Sequence, residues 1–164
     1  MLRSKARVFE VTQSSLHPPG CLRKEGHMPG LNLTHLEASE RSQNVRPSSY
    51  QVELNLNVGE EVFRSKTVIQ FSATNGASTF VDLVATQIHS MMLNGHALPA
   101  EAYADNRISL VDLREENVLE VDADCLYMHT GEGLHSFVDP ADGQRYCYYQ
   151  FEVPDARRVF ATYE

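Results

Sequence analysis

From residue 50 onward, apolar and polar side chains alternate with a period of two. Tyr50, Val52, Leu54, Leu56 and Val58 interleave with Gln51, Glu53, Asn55 and Asn57, which predicts a half-buried strand. Gly59-Glu60 supplies a turn. Phe63, Ser65, Thr67, Ile69 and Phe71 then share one face of a second strand, with Arg64, Lys66 and Gln70 on the other, so the two form an antiparallel hairpin. Further strands are predicted at 79–84, 88–93, 96–98, 107–110 and 117–126. Asn94-Gly95 marks a tight hairpin turn, since both residues tolerate positive φ. Turn residues recurring every eight to twelve positions give an all-β fold, a sandwich or barrel-like domain.

Helical signals are confined to the ends of this series. Thr34-His35-Leu36-Glu37 has the form of a capping box, predicting a helix over His35–Asn44 that stops before Arg46-Pro47. After 126 the pattern changes. Thr130–Gly133 is a glycine-containing loop, and 137–143 contains another turn. The aromatic run from Tyr146 to Glu152 is a strand, and Asp155 is placed to cap a short helix through Phe160. The chain stops at Glu164 in the middle of that element's exit.

Residues 1–27 show no sustained periodicity and carry five basic and two acidic side chains. They lack the apolar core of a secretory signal, leaving an over-extended start, a transit-like leader or a disordered arm. The first is preferred because Met28-Pro29-Gly30 reads as a beginning, and the folded domain is expected over 28–164. With a total of −8 and a leader of +3, the remaining 137 residues carry −11. So acidic a body repels phosphate backbones and disfavours a nucleic-acid partner. No apolar run is long enough for a membrane-spanning helix, and the absence of signals gives a cytoplasmic expectation. Cys21, Cys125 and Cys147 form no C-x-x-C pair, which fits a reducing compartment. Asn32-Leu33-Thr34 has the glycosylation form, without the secretory signal that would give it meaning.

Local motifs supply little chemistry. There is no H-E-x-x-H and no G-x-S-x-G. His89 and His96 flank a hairpin turn and are expected on a strand surface. His129 and His135 flank the Gly131–Gly133 loop and could approach each other, although neither has an obvious carboxylate or thiolate companion for a metal. Gln150 and Glu152 are two apart on one predicted strand, so they leave the same face, with Tyr149 and Phe151 opposite. An amide and a carboxylate on one face could line a pocket for a cationic amine. An ordinary solvent-facing pair is the other reading.

Two stretches carry a resemblance. Tyr127 to Pro140, reading Y-M-H-T-G-E-G-L-H-S-F-V-D-P, is similar to the M1 family of zinc aminopeptidases, the aminopeptidase N group. So is Tyr149 to Phe160, which contains the family's Q-F-E-x-x-D-A-R-R-x-F segment. Residues 161–164 depart from the family's common Pro-Cys-Phe-Asp form, and the opening from Met28 to Thr34 resembles the start of bacterial members. The resemblance implies a saddle-like antiparallel β-sandwich, the amino-terminal domain that packs on a thermolysin-like catalytic domain. It implies that Gln150 shapes the pocket for the first side chain and that Glu152 binds the free α-amino group of a peptide. It also implies zinc in the parent enzyme, held by an H-E-x-x-H helix and a distant glutamate that this chain lacks. The fragment alone is therefore expected to be inactive. A free-standing β-sandwich binding module is the alternative.

Overall fold

The computed structural model describes residues 9–11, 33–152 and 154–163. Most of the leader, the Met28 start and the Asn32 acceptor lie outside the described residues. Within the leader, Phe9–Val11 forms a short strand, β1, antiparallel to Tyr50–Val52.

The helix α1 spans His35–Asn44, as the capping box predicts. The Thr34 hydroxyl accepts the Glu37 amide at 3.2 Å, and the Glu37 carboxylate accepts the Thr34 amide at 2.8 Å. What fastens α1 to the body is a charge and not an apolar stripe: Leu36 is exposed while Arg41 is buried. The Arg41 guanidinium meets Asp82 at 3.0 Å, and Arg107 bridges Glu37 at 2.7 Å and Asp82 at 3.5 Å. Both guanidiniums also lie near the Phe80 ring, at 5.0 and 4.0 Å from its centroid.

Chain order continues with β2 (Val45–Asn55), β3 (Val62–Ala73), β4 (Thr79–Asp82), β5 (Gln87–Leu93) and β6 (His96–Ala97). It ends with β7 (Tyr103–Ala104), β8 (Arg107–Leu110), β9 (Glu116–Leu126), β10 (Gly133–Val138) and β11 (Arg145–Gln150). All pairings between these strands are antiparallel. A six-stranded sheet runs β1-β2-β3-β9-β5-β6, a three-stranded sheet β4-β8-β7, and β10-β11 is a separate hairpin. The fold is an all-β sandwich.

Its core follows the period-two pattern. Phe63, Ser65, Thr67, Ile69 and Phe71 are all buried on β3, and Leu119, Val121, Ala123 and Cys125 alternate inward on β9. Val81, Ile108 and Leu110 of the smaller sheet join the same cluster, as do Val159 and Ala161 from the chain's last turn. Asn94 and Gly95 have φ of 53° and 79°, the left-handed pair that a two-residue hairpin turn requires. Asp105 and Asn106 do the same between β7 and β8, with φ of 50° and 61°.

Several boundaries differ from expectation. β2 begins at Val45 and runs through Pro47, with a register shift between Pro47 and Ser49. The proline is tolerated because β1 covers only 50–52, so β2 is an edge at Pro47. β10 was expected to be loop and turn, since its buried Leu134 and Ser136 alternate over too short a span to signal a strand. β11 starts one residue earlier and ends two residues earlier than expected. The terminal helix is a single 3-10 turn over Asp155–Arg158 with Pro154 as its N-cap, so Asp155 does not cap it. The Asp155 carboxylate accepts instead from Arg158 Nε at 3.3 Å.

Candidate functional site

Gln150 and Glu152 sit where β11 leaves its hairpin and turns into the terminal 3-10 helix. Gln150 is the last residue of β11 and lies opposite Gly133 of β10. Glu152 follows two residues later, beyond the strand, so the alternation expected to align the two side chains stops short of it. Both are exposed. The Glu152 carbonyl accepts the Asp155 amide at 2.6 Å, which ties this corner to the helix.

The hairpin holding Gln150 is built from cross-strand aromatic pairs. His135 stacks on Tyr148 with centroids 4.6 Å apart, and Phe137 stacks on Tyr146 at 5.6 Å. Such pairs contribute about 0.5–1.5 kcal/mol each beyond their buried area. Tyr149 and Phe151, expected opposite Gln150 and Glu152, are 5.1 Å apart, and Phe151 meets Phe160 edge-on at 6.0 Å. That contact joins the corner to the body, because Phe160 also packs against Tyr50 at 6.5 Å. Even so, every residue of β11 is exposed, and Tyr149 is 70% exposed.

The loop before β10 is fastened to both. The Gly131 amide donates to His135 Nδ1 at 3.2 Å, and His129 Nδ1 lies 2.9 Å from the Ser136 carbonyl oxygen. The two imidazoles do approach, with centroids 6.1 Å apart. Across the loop, Glu132 meets Arg158 at 3.2 Å. Gly133, with φ of 61°, is needed here: a Cβ would sit 3.0 Å from Arg158 Cβ. The sequence marked this loop and its two histidines. It gave no sign of the Glu132–Arg158 bridge, which spans 26 positions.

Two clefts are lined by described residues, the first of them beside this hairpin. One of about 420 Å³ is lined by residues including Glu60, Glu61, His129, His135 and Arg145. The other, of about 320 Å³, is lined by residues including Gln87, His89, Met91 and Tyr103. Gln150 and Glu152 line neither of these two, and both residues are exposed, an open ledge. His89 pairs with Asp124 at 2.8 Å, and His96 is exposed. Cys125 is sealed in the core, where burial pushes its thiol up to about 12, far from a nucleophile's range.

No family model matches the chain. The chain is 51% identical over 142 residues to "Aminopeptidase N" of Streptomyces lividans, a match covering 84% of this chain. The chain is aminopeptidase N-like. It spans 17% of the length of that relative.

Among the described residues no group of three or more His, Cys, Asp or Glu side chains could hold a metal ion. The zinc implied by the aminopeptidase N resemblance therefore finds no fitting donor set here, and no chemical step of this chain is derived through it. What the ledge of this aminopeptidase N-like chain offers is an exposed carboxylate and an exposed amide beside a row of aromatic rings.

Proposed function

We propose that this chain is the amino-terminal, substrate-binding and structural domain of a zinc aminopeptidase that removes residues from the amino ends of peptides. The 51% identity to aminopeptidase N carries this reading. Glu152 holds the peptide's α-ammonium, and Gln150 bounds the space for the first side chain. A charge-assisted hydrogen bond to the ammonium contributes about 1.5–3 kcal/mol. It also fixes which peptide bond is presented for cleavage, so the enzyme trims from one end.

Support comes from how open the ledge is. Glu152, Gln150 and the aromatic side chains of β11 are exposed at the outer strand of a hairpin whose inner strand, β10, buries Leu134 and Ser136. A ledge of that kind becomes a pocket when other protein closes over it, and the catalytic domain of the same enzyme supplies that cover. The chain by itself is inactive, because the metal and its ligands belong to that second domain.

The test has two arms. The purified chain is assayed with aminoacyl-p-nitroanilides with and without added zinc, and no turnover is expected. A chimaera then replaces the matching stretch of the Streptomyces lividans enzyme with this chain, and hydrolysis is expected to return. Zinc-dependent turnover by the chain alone overturns the proposal, as does a folded chimaera without activity.

A further inference from the structure

We infer that His135 is a positioning residue for the Gln150–Glu152 ledge, acting through the lone pair on its Nδ1; this rests on the amine-binding reading above.

The two imidazoles beside the loop do different jobs. His129 Nδ1 faces the Ser136 carbonyl oxygen at 2.9 Å, so it must donate. His135 Nδ1 receives the Gly131 amide at 3.2 Å, so it must accept. An imidazole with an accepting Nδ1 is neutral and carries its proton on Nε2. The stack of His135 on Tyr148, at 4.6 Å with 27° between planes, fixes the ring so that this lone pair meets the loop.

The loop so held reaches the ledge by two routes. Gly133 closes it and pairs directly with Gln150 across the hairpin. Glu132 pairs with Arg158, which bonds Asp155, whose amide in turn holds the Glu152 carbonyl at 2.6 Å. Gly131 and Gly133 both adopt positive φ, 91° and 61°, so the loop depends on side-chain ties to keep its shape. Met128 adds a single bridge on the outer side of β10, with its amide on Leu134 and its carbonyl on Ser136. Within residues 130–132, the histidine holds the Gly131 amide while Arg158 holds the Glu132 carboxylate.

Two substitutions separate the accepting atom from the ring. His135→Phe keeps a ring against Tyr148 and removes the acceptor. His135→Asn gives up the stack and retains an acceptor near the position of Nδ1. Amide exchange and backbone shifts are read by NMR on the full chain. In His135→Phe the amides of Gly131 and Asp155 are expected to exchange at least about tenfold faster, with shifted Gln150 and Glu152 signals, while Ile69 and Leu119 keep their rates. A tenfold change corresponds to about 1.4 kcal/mol of local opening. His135→Asn is expected to restore the original rates.

The reverse pattern, with Phe silent and Asn disruptive, assigns His135 to packing and overturns the inference. Faster exchange at Gly131 without change at Asp155, Gln150 or Glu152 overturns it too, since the histidine would then hold only the loop. These rates are read without peptide, so they fail independently of the amine-binding role, which a Glu152 variant of the chimaera tests.

Discussion

Strands β3 and β11 are both rich in bulky side chains, yet they live in different surroundings. On β3 every second residue from Phe63 to Phe71 is sealed from water, and on β11 all six residues are exposed. β3 lies between β2 and β9 in the middle of the six-stranded sheet, whereas β11 pairs with β10 alone. The sandwich body thus draws stability from its own core. The hairpin reaches that core through Leu134 alone among its apolar side chains and is otherwise held by ring stacks and by ties to the terminal turn. β11 is thus an aromatic strand that its own fold leaves uncovered.

That contrast can be broken most directly through the core. Phe63→Ala removes a fully buried ring and is expected to cost about 3–5 kcal/mol, read as a lower denaturation midpoint in urea. Tyr149→Ala, at the most exposed site on the hairpin, is expected to stay within about 0.5 kcal/mol. Equal losses would show that β11 is as much a part of the core as β3.

The charged junction between α1 and the body comes next. Asp82→Ala removes one carboxylate partner from the buried Arg41 and one from Arg107, so a loss of about 3 kcal/mol is expected. Thr34→Ala removes only the cap of α1, and about 1 kcal/mol is expected. Both are measured by the same urea titration.

A further small effect is pH-dependent. A hydrogen bond from Arg107, helped by the Thr34 amide, holds the Glu37 carboxyl down at about 2, against 4.5 for the free group. A depressed value means the carboxylate's stabilisation is complete above 4.5 and is lost as pH falls toward 2. Glu37→Gln should therefore flatten the fall in stability across that window by at most about 1 kcal/mol, since the pair is partly open to water. Denaturation midpoints at pH 6 and pH 3 for both proteins supply the check.

The body was largely legible in the sequence, and the site only in part. Alternation named the buried face of β3 residue by residue, Thr34 with Glu37 located the start of α1, and Arg46-Pro47 its end. These signals are local and strong because a period of two or a capping box depends on near neighbours. β7 escaped because two residues carry no period. β10 escaped because Gly133 opens it and its outward face bears Phe137, so apolar residues fall on both sides. At the site, sequence marked Gln150 and Glu152 but extended their strand too far. Pro154 and the bond from the Asp155 amide turn the chain at Glu152, and neither leaves a periodic trace. The tie from Glu132 to Arg158 pairs residues too distant for any local pattern.

The role of Glu152 is tested most directly by kcat/KM in the Streptomyces chimaera, comparing Glu152 with Glu152→Gln on a free aminoacyl-p-nitroanilide and its N-acetylated form. Loss of the ammonium contact should lower the value for the free amine by about 10- to 150-fold and leave the acetylated compound unchanged. Equal kcat/KM for the two proteins on the free amine would contradict the assignment.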